Sequence, residues 1–181
     1  MKLFILSDIH GSEEQCQKVL KIFSKSKADY LVILGDILYH GPRNPLPASY
    51  NPQAVYELLN PYSDQIIAVR GNCDSEVDQM VLEFSISDDY TFLALKGRLV
   101  YLSHGHIYNP ETLPPGFDSG DVFLFGHIHL PLAERVNDYY LGNPGSITFP
   151  KENFPSSYGI LSDESFVIYD LDEKPIKELV F

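Results

Sequence analysis

Five of the six histidines in this 181-residue chain fall at the ends of short apolar runs. They occupy the motifs Asp8-Ile9-His10, His104-Gly105-His106 and Gly126-His127-Ile128-His129; Gly35-Asp36 and Gly71-Asn72-Cys73-Asp74 end two further runs in the same way. An isolated H-x-H pair is readily explained as two satisfied core residues. Five imidazoles clustered with Asp8, Asp36 and Asn72 point instead to chemistry, because together they offer nitrogen and hard oxygen donors for a divalent cation. No convergent set of thiolates accompanies them, which argues against an Fe–S cluster and most structural zinc patterns. Manganese, iron, zinc, cobalt or nickel would suit these donors. A pair of cations needs a bridging carboxylate, and Asp36 is the best placed.

Each motif terminates a run that reads as a buried strand: residues 2–7, 30–34, 65–70, 98–103 and 121–125. Glycines beside the candidate ligands permit sharp turns and close backbone approach. The expectation is that the five strand ends lie side by side and build one metal site. Ser12 reads as a helix N-cap with Gln15 completing a capping box, and Cys16, Val19, Leu20 and Phe23 follow at helical spacing. Asn51-Pro52 opens a second helix whose buried stripe is Val55, Leu58 and Leu59, and Asn60-Pro61 closes it. Two proline-bearing loops, 37–51 and 107–120, follow strand ends and are expected to shape the site. Lys96-Gly97 marks a hairpin, and further strand pairs turn at Asn137-Asp138 and Asp163-Glu164. A β-α-β-α-β first half and a β-rich second half predict two packed sheets with helices outside, as one domain over residues 1–181.

With 25 acidic and 13 basic residues the formal charge is -12, which argues against general nucleic-acid binding. A phosphate-bearing substrate is still allowed, because bound cations reverse the local field. No apolar run approaches the length of a membrane span, and the first one is too short for a secretory signal and ends at Asp8. A cytoplasmic protein without a membrane partner is therefore expected. The two cysteines do not suggest a disulfide framework, and Cys16 reads as core. Some tyrosines are free to line a substrate cleft or the contact of a homo-oligomer.

Taken together, Asp8-Ile-His10, Gly35-Asp36, Gly71-Asn72, His104-Gly105-His106 and Gly126-His127-Ile-His129 resemble the signature of the calcineurin-like metallophosphoesterases, in order and spacing. Gly-Asn-Cys-Asp and the later Asn143-Pro144-Gly145-Ser146 are similar to the small bacterial phosphodiesterases of that family. The resemblance implies a four-layer αββα sandwich of two mixed β-sheets flanked by helices. It implies that Asp8, His10, Asp36 and His129 hold one metal, that Asp36, Asn72, His104 and His127 hold a second, and that the metals are manganese. It also implies that a water or hydroxide bridging the two attacks the phosphorus of a small phosphodiester in line. Elementary electrostatics agree: two dications less two aspartates and one hydroxide leave about +1, enough to attract a diester anion. A phosphomonoesterase on the same metals, or a non-catalytic scaffold like the retromer subunit of this fold, are the alternatives.

One position departs from the family pattern. Many members carry histidine directly after Gly-Asn, where it can protonate the leaving oxygen, and this chain has Cys73. A thiol is a weaker donor near neutral pH. The acid is then Cys73 itself, or His106, or absent, and the last case favours substrates with good leaving groups. His40, Arg43, Asn44 and Arg70 are further polar candidates for substrate contact, each with an ordinary alternative as a solvated loop residue. Asn143–Ser146 reads as a tight turn under the site.

Overall fold

A computed structural model describes all 181 residues. Strand β1 (Leu3–Leu6) leads into helix α1 (Glu13–Ser26), β2 (Tyr30–Ile33), α2 (Pro52–Leu59), β3 (Ile66–Ala68) and a single turn of helix, α3 (Glu76–Gln79). Eight strands follow: β4 (Tyr90–Leu95), β5 (Arg98–Ser103), β6 (Val122–Phe125), β7 (Pro131–Val136), β8 (Tyr139–Pro144), β9 (Ser157–Leu161), β10 (Ser165–Asp170) and β11 (Pro175–Val180). The first sheet runs β11-β10-β9-β1-β2-β3, with β1, β2 and β3 parallel and the others antiparallel. The second runs β4-β5-β6-β8-β7, with β5, β6 and β8 parallel. Both sheets are mixed, as expected of this sandwich.

Alternation along the strands explains the layers. Leu3 and Ile5 of β1, with Val32 and Leu34 from the β2 run, face Val100, Leu102, Val122 and Leu124 of the second sheet. Phe4, Leu6, Leu31 and Ile33 point the other way, onto Cys16, Val19, Leu20 and Phe23 of α1 and Val55 and Leu59 of α2. Strands buried on both faces therefore read as unbroken apolar runs. The outer face of the second sheet carries Tyr101, Phe123, Phe125 and Leu141, and Tyr108, Leu113 and Phe117 of the 107–120 segment pack over it. Helices are few, and the fourth layer is made largely by this aromatic loop.

One local expectation is corrected. Ser12 is the N-cap of α1, but its side chain does not cap the helix; its hydroxyl meets Ser49 Oγ at 3.0 Å, so the capping box with Gln15 does not form. A capping box forms instead at Ser75 and Asp78 of α3. Asn60-Pro61 ends α2 as expected, with Asn60 as its C-cap, and residues Asn60–Gln65 follow as a 3₁₀ helix. No helix is long and apolar enough to cross a membrane.

Candidate metal centre

The five motifs leave the carboxyl ends of β1, β2, β3, β5 and β6, where open α/β sheets place their ligand crevices. Hydrogen bonds run between the chains beyond the sheet. Asp8 N donates to Gly35 O (3.2 Å), His10 N to Asp36 O (2.9 Å) and Gly126 N to His104 O (2.8 Å). Asp8, His10, Asp36, His127 and His129 all have left-handed backbone, with φ between 49° and 66°. Such φ values are uncommon outside glycine and cluster at functional sites. Glycine serves a different purpose at Gly71: a Cβ there would collide with the Asp36 carboxylate and its amide, so only glycine lets the third motif pass so close to Asp36.

Three imidazoles are held in the same way. His10 Nδ1 meets Tyr39 O at 2.9 Å, His104 Nδ1 meets Leu34 O at 2.6 Å, and His129 Nδ1 meets Phe149 O at 2.7 Å. A carbonyl can only accept, so each ring carries a proton on Nδ1 and turns Nε2 inward, the atom left for a metal. Their Nε2 atoms surround the two carboxylates. His129 and His10 lie 3.1 and 3.6 Å from Asp8 Oδ1, while His104 and His10 lie 3.4 and 3.7 Å from Asp36 Oδ2. Two donors each about 2.1 Å from a common cation are separated by roughly 3.0–3.5 Å, so this spacing fits shared coordination. Asp8 Oδ1 and His10 Nε2 are buried without a hydrogen-bond partner. An ion is the kind of partner such atoms lack.

The remaining candidates are more open. Asn72 is exposed, with Oδ1 3.0 Å from His104 Nε2, and the His127 ring centroid lies 5.0 Å from that of His104. Asp8 Oδ2 accepts from Ser7 Oγ (2.6 Å) and His127 N (3.1 Å), and Asp36 Oδ1 accepts from Cys73 N (2.8 Å). The groups Asp8–His10–His129 and Asp8–Asp36–His104 each bring donor atoms within 4.8 Å of one another. A third group, His10–Asp36–Cys73, places the thiol beside them.

The electrostatics follow from this crowding. Burial would raise the Asp8 carboxyl, but the adjacent His10 and His129 imidazoles hold it well below the usual carboxylate range. Burial also opposes charge on His104, yet the Asp36 carboxylate 3.4 Å away and the charge of Asp8 carry it up to about 9. Burial and the positive charge of His104 push His127 down to about 4. Burial and the Asp36 charge push the Cys73 thiol far up.

Asp74 is the residue whose role the sequence concealed. It stands in the quoted motif with no obvious task. In the structure its buried carboxylate accepts from Asp36 N (2.8 Å), Ile37 N (2.8 Å) and Gly71 N (2.7 Å), which fastens the β2 and β3 ends together. Asn143 and Ser146 do form the floor: Asn143 Nδ2 donates to Gly126 O and Ser146 Oγ to Asp8 O. A cleft of about 770 Å³ lies over the cluster, and Tyr39, Arg43, Asn44, Cys73 and Lys151 are among its walls. His106, His40 and Arg70 do not line it. The His106 ring lies 5.3 Å from that of His104 between centroids, with Nδ1 buried and unpartnered.

Two mixed sheets with imidazoles and carboxylates gathered at the parallel strand ends define the architecture of a metal-dependent phosphoesterase. The chain belongs to the calcineurin-like phosphoesterase superfamily, whose domain model matches residues 1–165. It is 47% identical over 176 residues to phosphodiesterase YfcE of Escherichia coli K12, covering 97% of this chain and 95% of that one. The solved structure of E. coli YfcE, described as a phosphoesterase, superposes with a TM-score of 0.96 at 46% identity, covering 99% of both chains. Vacuolar protein sorting 29 of Cryptosporidium parvum shares the fold at a TM-score of 0.66 and 20% identity, over 99% of this chain and 98% of that one.

Proposed function

We propose that this chain is a dinuclear metal-dependent phosphodiesterase. In this reading Asp8, His10, Asp36 and His129 hold one cation, Asp36, Asn72, His104 and His127 hold the other, and Asp36 bridges. When bound, the two divalent ions, manganese in our reading, would activate a water for in-line attack and would neutralise charge on the phosphoryl oxygens. The observation that carries the reading is the inward pair of orphaned atoms, Asp8 Oδ1 and His10 Nε2, among three histidines already oriented by backbone carbonyls. The likeness to a phosphodiesterase at 47% identity supports the diester as substrate.

The chain's own groups have distinct tasks. Backbone carbonyls of Leu34, Tyr39 and Phe149 fix the histidine tautomers, and the Cys73 and His127 amides fix the two carboxylates. Cys73 lines the cleft as a neutral thiol and receives a hydrogen bond from Asn72 Nδ2 at 3.2 Å. It gives little acid assistance, so diesters with good leaving groups are the favoured substrates. The test is hydrolysis of bis(p-nitrophenyl) phosphate with manganese, with and without chelator, by the parent, Asp36→Ala and His127→Ala. Turnover lost on chelation and in both variants is expected; turnover that survives all three changes overturns the reading. Faster turnover of p-nitrophenyl phosphate than of the diester would reassign the enzyme as a monoesterase.

A further inference from the structure

A second cavity opens beside the metal cleft. It measures about 370 Å³ and shares Tyr39, Cys73 and Ser75 with the cleft, so the two adjoin at these residues. The size lies within the roughly 300–1,000 Å³ typical of small-molecule sites. Its character differs from that of the cleft. Tyr39, Tyr50 and Tyr56 contribute rings, and Val77 and Val81 contribute methyls. The one charged lining residue, Asp78, is committed to Ser75, whose amide and hydroxyl it accepts at 2.8 and 3.1 Å. The slot therefore offers no cation to a phosphate and nothing to neutralise a charged substituent.

The aromatic walls are arranged from two directions. Tyr39 follows the β2 motif, and its carbonyl is the group that orients His10, so its position is tied to the metal centre. The His40 ring lies 4.7 Å from the Tyr39 ring and 5.3 Å from the Tyr50 ring, which joins the two tyrosines into one wall. The opposite wall comes from α3 and the residues after it. There Val77 and Val81 remain 68% and 37% exposed, apolar surface with no partner within the chain. Apolar side chains left open beside a polar cleft form a surface that a ligand can cover.

We propose that this slot receives a flat aromatic substituent of the phosphodiester, an aryl group or a nucleobase, so that Tyr56, Val77 and Val81 help set substrate specificity. The inference rests on the phosphodiesterase reading and names the substrate class of that site. With the phosphate over the metal ligands, a substituent directed past Cys73 enters the slot and leaves the walls of the first cleft free. Ring stacking and apolar contact supply the recognition, which makes it tolerant of the ring's identity.

The experiment compares phenyl phosphate with methyl phosphate as inhibitors of bis(p-nitrophenyl) phosphate hydrolysis by the manganese-loaded enzyme. Both present the same anion, and only one carries a ring. In the parent, phenyl phosphate is expected to inhibit about tenfold more tightly, the scale of one aromatic contact. In Val77→Asp and Tyr56→Ala the ratio is expected to fall toward one. Val77 is exposed, so its variant does not threaten the fold, and circular dichroism checks both. Equal inhibition by the two phosphates in the parent, or a ratio unchanged in both variants, overturns the proposal. A parent without metal-dependent turnover fails the phosphodiesterase reading itself and is seen first. Sedimentation of the same proteins covers the other occupant: a variant that changes association state while leaving the ratio intact assigns this face to a second copy of the chain and overturns the slot.

Discussion

The two halves of the candidate centre are built to different standards. On one side Asp8, His10, His104 and His129 are buried, and each imidazole is pinned at Nδ1 by a backbone carbonyl. On the other side Asn72 is exposed and His127 half-buried, with the open cleft and Cys73 beside them. Asp36 stands between the halves, clamped by the Cys73 amide on one oxygen and facing His10 and His104 with the other. The difference teaches how such a site divides its work. The buried half is organised before any ion arrives, so ordering costs little on binding. The open half keeps positions that solvent and substrate can reach.

The strongest way to break this comparison is to remove the residue the halves share. Asp36→Ala should lower kcat/KM for bis(p-nitrophenyl) phosphate by on the order of 10³-fold or more, because in the proposed reading both cations lose a ligand. Metal content by atomic absorption should fall with it. Retention of two tightly bound ions would show that Asp36 does not bridge.

Asp74 tests whether the scaffold matters as much as the ligands. Asp74→Ala leaves three buried amides of the Asp36 and Gly71 turns without an acceptor. A loss of about 10–100-fold in metal affinity is expected, typical of groups that orient a ligand from behind. Titration with manganese followed by calorimetry reads it, and wild-type affinity would contradict the clasp.

The open half predicts an improvement. Cys73→His places a proton donor where the cleft has a neutral thiol, and turnover of diesters with poor leaving groups should rise about tenfold. The gain should shrink for p-nitrophenyl esters, whose leaving group needs little help. A uniform change across leaving groups would remove the acid interpretation.

Stability sharpens the comparison further. His127 has φ of 66° and a half-buried side chain. In the metal-free protein His127→Gly should be about 1 kcal/mol more stable than His127→Ala, since only glycine takes this backbone without cost. Both variants should lose activity. Denaturant midpoints that coincide would show that the turn carries no strain.

A further test is the effect of pH on the metal-free protein. His104 titrates at about 9 when folded, above the ordinary imidazole value of about 6.5. Its contribution is therefore complete below about pH 6.5 and is lost as pH rises through about 9. A bound cation displaces that proton. Denaturation midpoints should decline over this window without metal and hold steady with it. Identical pH profiles would argue that His104 takes no metal.

Much of this was legible in the chain because local chemistry repeats. Runs such as Tyr30–Leu34 are apolar enough to be strands buried on both faces, and their ends at Asp36, Asn72, His104 and His127 carry donors that no core would need. Position after a strand is a local property, so the clustered donor residues and the layered α/β class could be read before any contact was known. Side-chain partnerships are not local. Ser12 and Gln15 have capping-box spacing, yet Ser49, 37 residues away, takes the Ser12 hydroxyl. The order of strands, the aromatic loop that replaces a helical layer and the Asp74 clasp each depend on segments brought together from far along the chain. The same is true of the choice between Cys73 and His106. Both stand beside a candidate motif, and only packing decides that Cys73 lines the cleft while His106 does not. The sequence by itself determined which atoms could bind a metal. Tertiary structure decided which way they point, because orientation is imposed by backbone carbonyls and amides whose positions no residue type encodes.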